Sequence, residues 1–406
     1  MIKKATFGIC LFACFQSANA QSSYSYECNR PDSANLFNAT ICIDGKQFQY
    51  EGGSKVEDLV DQFDEEQLKA YFAGYNENTS TGLFRLDFRG IPIQVSFPNS
   101  GAGDGSTLLV FEVPSLDLRE EFSGTDRDDS KELLKDYLKK DGERLLKESI
   151  KQSPVDPIAG NPASMQSKMV DDAFNAGTQG DFGVTQNKVG LGARFGRYNQ
   201  GGKSITSYSL PLSFSFQLGG GKELMFRFPM SYMEVEEAKA YSVGFGTGLK
   251  VPVVKDKWSL TPALSYGIAG SPDLGSAAQM LSTSLTSDVV LIKHPMFSVR
   301  MGNMVGYYKT LPFKIKGYEV DIDLTNIMLR NGFMLSVPIG TVIGPKLNFN
   351  TFITDTRFFG DELYTEQYNE VGFSFNTKKG GFGIGMTYLY ADENTDAFKV
   401  NFGFKF

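Results

Sequence analysis

The sequence predicts a mainly β chain: an antiparallel transmembrane β-barrel of about twelve strands, preceded by a small α+β soluble domain and a helical linker. Three observations carry this. From Lys188 onward, apolar and polar residues alternate with period two in one segment after another. The last segment places Phe398, Val400, Phe402, Phe404 and Phe406 on one face, because successive strand residues point to opposite sides. Beyond the N-terminus no run of 18 or more apolar residues occurs, which excludes membrane helices. Membrane strands remain allowed, since their hydrophobicity is spread over alternate positions.

Composition agrees. The 406 residues suffice for one large and one smaller domain. They include 43 Gly, 34 Phe and 18 Tyr but one His and one Trp, a balance that suits a large sheet. The net charge is -7 and basic residues form no block, so nucleic acid is not an expected partner.

Residues 1–20 read as an export signal. Lys3 and Lys4 precede an apolar core over 5–15, and Ala18-Asn19-Ala20 supplies a small-x-small cleavage site. Leu11-Phe12-Ala13-Cys14 fits a lipoprotein box poorly because of Phe12. Cleavage after Ala20 leaves Cys28 and Cys42, which are expected to pair in an oxidising compartment rather than bind metal.

Residues 21–126 form the expected soluble domain. Apolar spacing predicts a helix over 56–72, and alternation predicts strands at 84–88, 91–97 and 108–113, with a turn near Asp104-Gly105. Residues 127–183 form the expected linker. A charged stretch at 125–129 leads into a helix capped by Ser130 and ended by Pro154. Pro162 then opens a second helix over 163–174, broken by the glycines of 177–183.

The barrel is expected over 184–406. Its strands are read at 187–198, 204–218, 222–234, 239–254, 258–270, 277–292, 296–309, 321–340, 342–359, 364–377, 380–391 and 397–406. An even count places both barrel ends in the periplasm, which leaves 309–321 and 359–364 facing outward. On the lumen side, Arg194, Arg227, Arg300 and Arg330 oppose Asp288. A twelve-strand barrel admits one helix. The second helix is therefore a candidate plug, with Met165, Met169 and Phe174 on its apolar face and Asp171 and Asp172 placed near the arginines. The generic alternative is a polar interior without a ligand.

A signal, a helical segment containing VDPIAGNPASMQSKMVDDAF and a barrel ending in Phe resemble the translocators of autotransporters, over residues 154–406. The absence of a long passenger makes the chain most similar to the solitary autotransporter barrels. The resemblance implies that Val400, Phe402, Phe404 and Phe406 serve as a barrel-assembly signal. It implies as partners the barrel-assembly machinery, periplasmic chaperones, and outer-membrane lipid with lipopolysaccharide. Passengers of that family usually avoid cysteine, so Cys28 and Cys42 lead to the expectation that the soluble domain stays in the periplasm. The alternative functions are a small-solute channel and, third, an outer-membrane hydrolase. An enzyme is not expected: His294 lies in a turn, beside Pro295, and barrel hydrolases rely on a His base. Gly244-Phe245-Gly246-Thr247-Gly248 reads as strand with lumen-facing glycine, not as a phosphate loop. No cofactor or metal is expected.

Overall fold

In the computed structural model the described residues are 28–29, 36–53, 55, 58–59, 61–63, 65–76, 79–99, 106–178, 188–315, 318–340, 347–377 and 381–405. The export signal, the Asp104-Gly105 turn and Phe406 lie outside them. The main chain divides into two compact units between Ser153 and Pro154.

In the first unit six antiparallel strands form one sheet: β1 (Phe37–Ile43), β2 (Lys46–Gly53), β3 (Gly82–Phe88), β4 (Ile91–Phe97), β5 (Leu108–Val113) and β6 (Leu118–Ser123). Their order is β2-β1-β3-β4-β5-β6. Asp44 and Gly45 join β1 to β2 with φ of 48° and 79°, the doubly positive geometry of a tight hairpin turn. In β3 and β4 alternate residues are buried, including Phe84, Leu86, Val95 and Phe97. The disulfide Cys28–Cys42 spans 6.1 Å between Cα atoms. The helix expected over 56–72 is shorter among the described residues: a turn at Asp61–Phe63, then α1 (Glu65–Tyr71).

Helix α2 (Arg127–Gln152) packs on β5 and β6 and belongs to this unit. The charged stretch at 125–129 is thus largely its first turn, not a linker. Its cap is Asp126 rather than Ser130. Asp126 accepts from the Asp129 N–H at 2.9 Å, which leaves Ser130 inside the helix, donating to Thr107 O at 2.6 Å. Arg127 lies over the Phe97 ring at 4.7 Å and donates to Asn99 O at 2.7 Å. Burial pushes its pKa down to about 10.

The second unit is a closed barrel of twelve antiparallel strands. These are β7 (Lys188–Gln200), β8 (Lys203–Gln217), β9 (Glu223–Val235), β10 (Ala238–Val254), β11 (Trp258–Ser271), β12 (Ser276–His294) and β13 (Phe297–Leu311). A short ladder, β14 (Phe313–Ile315) with β15 (Tyr318–Val320), stands in the connection that follows. The barrel continues with β16 (Thr325–Pro338), β17 (Leu347–Gly360), β18 (Gln367–Thr377), β19 (Phe382–Ala391) and β20 (Thr395–Lys405). Neighbours in sequence are neighbours in space, and β20 pairs with β7 to close the ring, with Phe402 opposite Ala193. Among the described residues, every exposed large apolar side chain except Leu133 belongs to this unit. Phe398 and Phe404, 47 % and 46 % exposed, are typical. A closed barrel with such a belt suits lipid, which covers the apolar faces, while closure removes unpaired edges.

Candidate functional site

The candidate site is the barrel interior. Strand parity builds it: in each strand the residues between the lipid-facing ones point inward. Arg194, Arg227, Asp288, Arg300 and Arg330 all fall on that parity, as do Lys250, Glu370 and Lys399, which the sequence reading passed over. The signal was present, since Lys399 sits between Phe398 and Val400, but a single charge in a strand draws little attention.

Helix α3 (Met165–Thr178) lies inside the barrel. It begins two residues later and ends four residues later than expected. Ser164 accepts from the Ser167 N–H at 3.4 Å, so Ser164 rather than Pro162 marks the start. Gly177 continues the helix instead of breaking it. A Cβ there would stand 2.5 Å from Thr286, so glycine is what lets the helix approach the wall.

Two consecutive aspartates anchor the helix. Asp171 pairs with Arg330 at 2.9 Å and with Lys399 at 3.3 Å. Glu370 pairs with the same two cations, so Asp171, Arg330, Glu370 and Lys399 alternate in a ring, with Arg330 and Glu370 buried. Asp172 pairs with Arg194 at 2.9 Å. Arg330 also lies over the Phe174 ring at 4.9 Å. Nearer the helix start, Gln166 donates to Asn326 at 2.9 Å and Lys168 to Ser231 at 3.1 Å. At its end, Lys250 donates to the Gly177 carbonyl at 3.2 Å, a cation placed at the negative pole of the helix. Lys250 and Arg300 share Asp288. Arg227 donates to Ser265 at 3.3 Å.

The wall is shaped to the helix. A Cβ on Gly267 would meet the sulfurs of Met165 and Met169 at 2.9 and 3.1 Å, and one on Gly302 would meet the Phe174 ring at 2.9 Å. The apolar face expected of Met165, Met169 and Phe174 therefore does touch the lumen wall, at two different places.

The direction of threading is fixed by these contacts. Gln166 meets the start of β16, and Gly177 meets the later part of β10. The preceding residues 154–164 are buried at the mouth where β7 ends and β18 begins. There Gln200 donates to Pro154 O at 3.1 Å and the Thr365 N–H to Gly160 O at 3.0 Å. That mouth is opposite the one holding the start of β7 and the end of β20. His294 closes β12 at the far mouth, exposed, with its Nδ1 accepting from the Met296 N–H at 3.2 Å. Val400, Phe402 and Phe404 lie in β20.

No family model and no curated protein matches the chain. Among solved structures, the barrel is similar to autotransporter translocator domains. The β domain of the Bordetella autotransporter BrkA is 13% identical, over 54% of this chain and 98% of that one, with a TM-score of 0.43. The translocator domain of NalP from Neisseria meningitidis is 14% identical, over 59% and 95%, with a TM-score of 0.44. An outer membrane channel from Pseudomonas putida is 11% identical, over 56% and 97%, with a TM-score of 0.39.

Proposed function

We propose that this chain is an outer-membrane barrel of the autotransporter kind, which keeps its connecting helix in the lumen and carries the disulfide-bonded sheet domain to the cell surface. The observation that supports this is the direction in which α3 threads the barrel. An even strand count places both barrel ends on the periplasmic side. Residues 154–164, which lead into the helix, then lie at the outer mouth. This departs from the periplasmic placement that the cysteines suggested. A disulfide joining residues 14 apart closes only a small loop and leaves the rest of the domain unconstrained. In this reading the partners are lipid and lipopolysaccharide around the belt, and periplasmic chaperones and the barrel-assembly machinery before insertion.

Protease treatment of intact cells tests the placement. Cleavage of the sheet domain from outside is expected, and full protection until the outer membrane is opened would overturn it. A small-solute channel is the competing reading. Deleting residues 162–177 is expected to raise single-channel conductance, and unchanged conductance would remove the resident helix.

A further inference from the structure

Two carboxamides interrupt the lipid-facing belt of the barrel. Asn303 on β13 and Asn331 on β16 stand opposite each other in the ladder, and both have the outward parity of their strands. Each lies close to the middle of its strand. Asn303 sits between Met301 and Val305, and Asn331 between the exposed Leu329 and Phe333. The pair is therefore well inside the apolar belt, where acyl chains offer no hydrogen bond.

Their own chain satisfies them only in part. The Asn303 Nδ2 donates to the Asn331 Oδ1 at 2.7 Å. A carboxamide brings two N–H donors and a carbonyl with two lone pairs. The Asn331 amide nitrogen and the Asn303 carbonyl thus have no side-chain partner among the described residues. Three other polar side chains on this face are answered within the chain. Asp355, opposite Asn331 on β17 and nearer the mouth where that strand ends, accepts from Arg357 at 3.0 Å and from Gln367 at 3.1 Å. Thr351 donates to Gly372 O at 3.1 Å, and Ser287 accepts from Trp258 at 3.0 Å. A polar group left in hydrocarbon is costly, and a polar side chain from a neighbouring membrane segment relieves it. That neighbour must bring both a donor and an acceptor, at the same depth. A second copy meets both conditions. Inserted the same way up, it presents the same pair at the same height, and a twofold axis along the membrane normal lays the two faces together.

We propose that the lipid-facing side of β13, β16 and β17 is the contact face of a homodimer within the membrane, in which Asn303 and Asn331 bond to the same two residues of a second copy. The proposal rests on the barrel lying in a bilayer and is independent of the direction of α3. The test is energy transfer between donor- and acceptor-labelled copies of the full chain in phosphatidylcholine vesicles, followed as added lipid dilutes the protein. Transfer above the random level is expected. Replacing both residues, Asn303→Leu with Asn331→Leu, should weaken association about tenfold or more. Thr247→Leu, on the lipid face of β10, should leave it unchanged. A second measurement keeps the native face nearly intact. With Cys28 and Cys42 held in their disulfide, Asn331→Cys should form a crosslinked dimer on oxidation, and Leu212→Cys, on β8 across the ring, should not. An inserted protein without transfer, an unshifted double variant, or equal crosslinking at both positions overturns the proposal. So does a monomer that carries lipopolysaccharide released by the double substitution, since lipid would then be the occupant. Failure of the barrel to enter vesicles at all removes the membrane reading and the dimer together, whereas an inserted monomer removes only the dimer.

Discussion

Strands β4 and β20 alternate alike. Ile91, Ile93, Val95 and Phe97 share one face of β4, and Phe398, Val400, Phe402 and Phe404 share one face of β20. Their environments are opposite: Val95 and Phe97 are each 1 % exposed, whereas Phe398 and Phe404 are nearly half exposed. In the first unit the chain covers its own apolar face. In the barrel it leaves that face for lipid and turns its charges inward. Period-two alternation thus specifies a two-sided strand and is silent about which side is the core. That choice comes from closure, strand length and what stands on the polar side.

Substitutions at three places, with one control, sharpen this contrast. The largest effect is expected from Phe84→Ala, which opens a cavity in the self-covered sheet. It should cost ~3–5 kcal/mol, read as faster hydrogen exchange of the β3 and β4 amides in the full chain. Phe402→Ala, on the lipid face, should leave those amides unchanged. Next is Phe333→Arg, half exposed on β16. It should cost ~2–4 kcal/mol at mid-bilayer depth, read as a shifted urea midpoint for barrel folding into vesicles; a shift of equal size in the sheet domain would count against the division. Replacing Cys28 and Cys42 together by Ser should remove at most ~3 kcal/mol, from a short closed loop. Its effect should be confined to the sheet domain, and reductant should reproduce it without altering the barrel's unfolding.

Much of the barrel was legible in the sequence, because twelve segments repeat one pattern and their bounds shift by only a few residues. The lumen arginines were legible for the same reason of parity. The first unit was less so. Strand β1 buries Asn38 and Thr40 along with its apolar residues, so its two faces do not look different. The Asp44-Gly45 turn was the missed signal for the β1–β2 hairpin. Strand β6 reads Leu-Arg-Glu-Glu-Phe-Ser, and its charges guard a sheet edge while disguising the strand as a loop. The aspartates of α3 were placed near arginines on charge alone. Which arginine each would meet, and which mouth the helix would enter by, depend on three-dimensional register that no local pattern encodes.

The neighbouring aspartates of α3 have a mechanical consequence. Lys399 is on β20 and Arg194 on β7, the last and first strands of the barrel, which lie side by side at the ring's only junction between distant parts of the chain. Asp171 holds one strand and Asp172 the other. Pulling that junction apart therefore strands a buried carboxylate or cation on at least one side, in addition to breaking the backbone ladder. The helix works as a clasp across the seam, and a barrel emptied of it should be the one whose first and last strands part more readily.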